Sequence, residues 1–286
     1  MMIFASLRKW LWEITTEWLT EDKDSGETPF CDFERLSYEI RPSDVLLVEG
    51  RSRVSEIIKI VTQSSWTHTA LYIGRLHDID SPALRERISK FYKGDPGAQL
   101  IIEALLGRGT VVTPLTFYKD FHMRICRPTH ISRQDAQQVI SVAVQRLGYG
   151  YDVRQLLDLA RFMFPYGLLP RRWRSSLFAH NAGDPTRCIC STMMVEAFQS
   201  VHYPVLPVVR QAESGDTKLY KRNPRLHTPK DFDYSPYFDI IKYPFMGAEN
   251  LAIYRQLPWS GDGIVLNDSK DNRSTSSTDD KLVGTR

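Results

Sequence analysis

The stretch SSWTHTALYIG, Ser64 to Gly74, decides how this chain is read. Residues Trp66 to Ile73 have the composition of a strand, and Gly74 closes it. Period-two alternation puts His68 on one face with Trp66, Ala70 and Tyr72, while Leu71 and Ile73 point the other way. An imidazole is thereby set into a half-buried sheet. There it is either a hydrogen-bonded core residue or a base tuned by its neighbours.

On the N-terminal side, DVLLV (Asp44 to Val48) reads as a short buried strand ended by Gly50. Val54, Ile57, Ile58 and Val61 then form an i, i+3, i+4, i+7 stripe, the mark of a helix. On the C-terminal side, the charge-rich run Pro82 to Lys93 reads as a surface helix before a turn at Gly94 to Gly97. Leu100 to Leu105 and Thr110 to Val112 are separated by Gly107 and Gly109, the pattern of a hairpin. His122 to Cys126 adds another strand, ending at Pro128. Ser132 with Asp135 resembles a capping box that opens a helix buried through Ala136, Val139, Ile140, Ala143 and Leu147, with Gly148 and Gly150 as the stop. Ile240 to Tyr243 is a further strand candidate. The expected class is α+β, a small antiparallel sheet packed against helices.

The 286 residues and 42% hydrophobic content suffice for a packed core. Lys and Arg number 37 against 34 Asp and Glu. With so small an excess and no basic block, nucleic acid is not the expected partner. The four cysteines, Cys31, Cys126, Cys188 and Cys190, contain no C-x-x-C pair or zinc-finger spacing. A bridge between Cys188 and Cys190 would be strained. A reducing, cytoplasmic setting with no metal or organic cofactor is expected.

Residues 1–20 form an expected amphipathic helix, with Ile3, Phe4, Leu7, Trp10, Leu11, Ile14 and Trp18 at helical spacing. Arg8, Lys9 and Glu13 break the apolar run, so it reads neither as a signal peptide nor as a membrane span. Trp10, Trp12 and Trp18 suit a headgroup boundary, so residues 1–19 are an expected peripheral membrane contact. A helix docked on its own domain fits the same periodicity. The remaining expectations are a linker over 21–41, a main domain over 42–258 with an inserted flap at 164–186, and a disordered tail over 259–286.

Two further residues bear on chemistry. Glu103, inside LIIEALL, is a carboxylate in an apolar strand, which costs several kcal/mol unless a donor or cation meets it. A histidine on a neighbouring strand would serve, and a paired sheet-edge Glu is the simpler alternative. Cys190, in TRCICSTMMVEAF (Thr186 to Phe198), falls at or just before a helix whose apolar stripe is Met193, Met194, Ala197, Phe198 and Val201. A helix N-terminus stabilises a thiolate. Cys188 lacks that placement.

The order strand, helix, W-T-H-T-A-L-Y-I-G, then I-I-E-A, then G-Y-x-Y-D, then C-S at a helix start resembles the circularly permuted papain-like hydrolases of the NlpC/P60 superfamily, in the YiiX/YebB-like branch (peptidase family C92). The likeness runs from about Arg41 to Val201, more weakly to Tyr243. It implies Cys190 as nucleophile, His68 as general base and Glu103 as the group that orients the imidazole. Tyr149 and Tyr151, beside Asp152, match the Y-D segment and would shape the pocket or simply pack. Where members commonly continue C-S-E-L, this chain has Cys190, Ser191, Thr192 and Met193, which bears on the substrate. The implied function is a cysteine hydrolase or acyl transferase acting on an amide, ester or thioester. The tryptophan-bearing helix and the Arg-flanked flap favour a membrane-associated lipid or acylated substrate. A peptide amidase of the same fold and a non-catalytic lipid- or peptide-binding module are the alternatives.

Overall fold

A computed structural model of the chain describes residues 17–22, 30–150, 189–211, 215–244 and 257. Most of the N-terminal helix, the segment from Tyr151 that holds Asp152, the flap and Cys188, and the tail beyond 258 lie outside the described residues.

The apolar runs bounded by glycine and proline form the strands. The elements in order are α1 (Phe33–Glu39), β1 (Val45–Glu49), α2 (Arg53–Thr62), β2 (His68–Gly74), α3 (Pro82–Phe91), β3 (Leu100–Leu105), β4 (Gly109–Pro114), β5 (His122–Pro128), α4 (Arg133–Gln145), α5 (Ile189–Ser200), β6 (Val208–Gln211), β7 (Thr217–Tyr220), α6 (Lys230–Tyr234) and β8 (Phe238–Ile241). Six strands make one sheet in the order β4-β3-β2-β1-β5-β8, and β6 and β7 form a separate two-stranded ribbon. Every neighbouring pair in the main sheet is antiparallel. The class is α+β.

Each sheet face buries its own core. One holds Val45, Leu47, Leu71, Ile73 and Ile102 against Val139, Ile140 and Ala143 of α4 and Met194, Ala197 and Phe198 of α5. The other holds Leu46, Val48, Ala70, Tyr72 and Ile101 with Leu36 of α1 and the turn residues Leu115 and Tyr118. The α4 and α5 stripes read from the sequence lie on these packed faces, and burial of each large apolar side chain contributes about 1.5–3 kcal/mol. α5 packs against β2, β3 and α4.

Local chemistry explains the boundaries. Asp32, Ser52, Ser81 and Ser132 cap α1, α2, α3 and α4 with their side chains. At α4 the box is altered: the Asp135 amide donates to Ser132 Oγ at 3.0 Å, and Ser132 Oγ donates to Asp135 Oδ2 at 2.8 Å. Gly109 has φ +75, and a Cβ there would run into the Tyr149 carbonyl. That carbonyl accepts from the Thr110 amide at 3.1 Å, which ties the end of α4 to β4.

Three features depart from the sequence reading. The linker stretch 21–41 contains α1, which buries Leu36 and brings Cys31 into a bridge with Pro244. Trp66 does not share a face with Ala70 and Tyr72, because β2 begins only at His68. Trp66 instead joins the Leu71 and Ile73 side, stacked on His122 at 5.3 Å with Arg124 over its ring. The proline- and tyrosine-rich stretch after α5 yields the exposed β6–β7 ribbon and α6.

The described end of the N-terminal segment is docked on the domain. Residues 17–20 are helical, Leu19 is 1% exposed, and Arg53 lies 4.7 Å over the Trp18 ring. Arg53 also pairs with Glu21 at 2.6 Å. No helix among the described residues is long and apolar enough to cross a membrane.

Candidate active site

His68 opens β2, and Glu103 lies near the middle of β3. The register pairs Ala70 with Glu103, so His68 and Glu103 have the same parity and project from one face, two residues apart on the diagonal. Long side chains close that gap. His68 Nε2 lies 2.7 Å from Glu103 Oε2. The same oxygen accepts a hydrogen bond from the Tyr118 hydroxyl at 2.5 Å. Glu103 is 0% exposed, and its other oxygen, Oε1, makes no hydrogen bond of normal geometry.

Cys190 arrives from the opposite layer. It sits in the first turn of α5 among the Leu71-side core, 4% exposed, where that helix packs on β2 and β3. Because His68 is the first residue of its strand, its ring is at the strand end that the start of α5 can reach. The Cys190 side chain hydrogen-bonds His68. With Nε2 committed to Glu103, Nδ1 is the nitrogen left for the thiol. The next residue is anchored too: Ser191 Oγ donates to the His227 carbonyl at 2.7 Å.

The electrostatics follow from this geometry. Burial would lower the His68 pKa, but the charge and hydrogen bond of Cys190, then those of Glu103, outweigh it and raise it from 6.5 to about 10. Burial also pushes Glu103 toward its neutral form. The hydrogen bond and charge of His68, helped by neighbouring hydroxyls, win and hold the carboxyl below its ordinary value. Burial, then the Glu103 charge, pushes the Tyr118 phenol well up, so it stays a donor. Imidazolium and carboxylate support each other, and Cys190 stands at the positive end of the α5 dipole.

The structure thus brings together all three residues singled out in the sequence. It adds Tyr118, which the sequence reading missed. Tyr118 lies in the turn Leu115–Tyr118 between β4 and β5, and no periodicity marks it. The available signal was the buried carboxylate itself, which needs more than one donor. Tyr149, by contrast, is 59% exposed beneath Arg146, and it is the backbone, not the ring, that is tied to β4. Cys31 and Cys126 are buried free thiols, and burial raises both pKa values, Cys126 the more strongly. Neither has an imidazole partner among the described residues. Also among the described residues, no group of three or more His, Cys, Asp or Glu is arranged to hold a metal ion.

This chain matches no protein-family model. It also matches no curated protein. Among solved structures it is similar to the metalloprotein yiiX from Escherichia coli O157:H7, at 15% identity and a TM-score of 0.41, over 71% of this chain and 97% of that one. An overlap that loose carries neither function nor detailed fold across, and the functional reading rests on the geometry of Cys190, His68 and Glu103.

Proposed function

We propose that the chain is a cysteine-dependent hydrolase or acyl transferase of the permuted papain-like, NlpC/P60 type. One observation carries the reading: a thiol, an imidazole and a carboxylate, far apart in the chain, meet in one contiguous hydrogen-bonded set. The chain order, histidine strand before cysteine helix, is the order a permuted papain-like fold requires. In the proposed reaction the Cys190 thiolate attacks a carbonyl carbon, and the first-turn amides of α5 stabilise the oxyanion. As the tetrahedral species collapses, the bond to the leaving group breaks and His68 donates its proton to that group. His68 then takes a proton from water or another acceptor, which attacks the acyl-cysteine and releases Cys190. Glu103 holds the ring in the tautomer and orientation both steps need.

The substrate is an amide, ester or thioester, and we favour a membrane-associated lipid or acylated molecule on the strength of the N-terminal tryptophans. An acyl-type thiol probe tests the nucleophile. Labelling should vanish in Cys190→Ala and persist in Cys188→Ala. Labelling that survives Cys190→Ala overturns the assignment. A panel of acyl amides, lipid esters and thioesters then separates lipid hydrolysis from peptide amidase activity.

A further inference from the structure

We propose that Tyr118 is a positioning residue for this site, the donor that keeps the Glu103 carboxylate ionised and turned toward His68. The inference rests on the reading of His68 as base and Glu103 as its orienting group. Two donors converge on Glu103 Oε2, Tyr118 at 2.5 Å and His68 at 2.7 Å, and the Thr113 hydroxyl also acts on the carboxylate. A carboxylate bonded by His68 alone could rotate about its last torsion and offer either oxygen. The phenol removes that freedom. It also favours the charged form, because a hydrogen bond to a carboxylate is worth more than one to a carboxylic acid.

The phenol is itself held in place. The Tyr118 ring meets Phe121 and Phe117 edge-on at 5.3 and 5.1 Å, and it lies tilted beside the His68 ring at 6.1 Å. The residue is 5% exposed, so its hydroxyl has little water to bond. The ionisable groups that act on the pair are His68 from β2, Cys190 from α5 and, on the Tyr118 side, Asp22 from the N-terminal segment. Of these, the His68 imidazolium is the one cation, and the hydroxyl donors Thr113 and Tyr118 add to it in keeping Glu103 charged. Any buried phenol needs a partner, and Tyr72 in the same core is the plain case, accepting from Gln99 Nε2 at 2.9 Å. Tyr118 instead donates to the carboxylate that holds the histidine.

The test is carboxyl titration by NMR in protein labelled at glutamate side-chain carbons, with the Glu103 signal assigned by its loss in Glu103→Gln. In Tyr118→Phe the Glu103 midpoint should rise by about one to two pH units, the worth of one hydrogen bond to a charged group. Tyr72→Phe, which also deletes a buried phenol oxygen, should leave that midpoint in place. In the unsubstituted chain the Tyr118 Cζ signal should titrate with the midpoint of Glu103, a reading that does not depend on any variant folding. An unmoved Glu103 midpoint in folded Tyr118→Phe, an equal shift in Tyr72→Phe, or a flat Tyr118 Cζ signal overturns the proposal. The titration needs no substrate. A chain inactive on every acyl compound would therefore remove the proposed reaction without deciding this one.

Discussion

Replacing Glu103 with Gln keeps the side chain's shape and deletes its charge, which isolates the role of the carboxylate. His68 is raised from 6.5 to about 10 by Cys190 and Glu103, acting against burial. A unit charge about 4 Å away contributes about 4 kcal/mol at an effective dielectric of about 20. The hydrogen bond itself drops from a charge-assisted one to a neutral one, a loss of about 1 kcal/mol. At 1.36 kcal/mol per pH unit, these bracket a fall in the His68 midpoint of roughly one to three units below about 10, with Cys190 remaining as support. The new amide also places an N–H group where Oε1 has no partner, at a stability cost of about 1–3 kcal/mol. The assay is the His68 titration in protein labelled at imidazole nitrogen, with thermal unfolding confirming that the variant is folded. A His68 midpoint that stays near 10 in Glu103→Gln refutes the account of the site. So does one already near 6.5 in the parent.

The same pair gives stability a two-sided pH dependence. The lowered Glu103 contributes stability that is present above its ordinary value of 4.5 and lost as pH falls through its folded value. The raised His68 contributes stability that is full below 6.5 and lost as pH rises through about 10, so melting temperature should fall at both extremes and flatten on the acid side in Glu103→Gln. At the other end of the sheet, Arg127 pairs with buried Asp44 at 2.8 Å. Asp44→Ala should cost about 3–5 kcal/mol in denaturant unfolding by stranding the guanidinium, while leaving the His68 titration unchanged. Phe198→Ala, in the α5 stripe and fully buried, should cost about 3–5 kcal/mol and loosen the seat of Cys190, read as faster non-specific alkylation. Removal of residues 1–19 should abolish flotation with anionic liposomes if the helix is a membrane contact. Because Leu19 is buried and Trp18 packs under Arg53, deletion of residues 1–16 is the cleaner variant, and unchanged flotation in it refutes that role.

Much of the frame was legible in the chain because it is locally encoded. Leu100 to Leu105 is a strand with the expected bounds, since an apolar run between a Gly-rich turn and a Gly-containing hairpin leaves the backbone little else to do. The buried stripe of α4 holds the expected Ala136, Val139, Ile140 and Ala143 and adds Val144, while Leu147 is buried just past the helix end, and Cys190 stands at the start of α5 as expected. The alternation in Trp66 to Ile73 failed only at its first residue, where the strand had not yet begun and ring stacking decided the side chain's direction.

What a one-dimensional pattern holds is which residue types stand at which period, and from that came the strands, the helices and three chemically competent side chains. Which of them touch depends on strand register, and a slip of one residue between β2 and β3 would have put Glu103 on the far face from His68. Register is a collective outcome of both cores packing at once. Only the folded chain therefore decided that the carboxylate faces the imidazole, that a thiol from the opposite layer reaches the same ring, and that Tyr118 from an irregular turn completes the set.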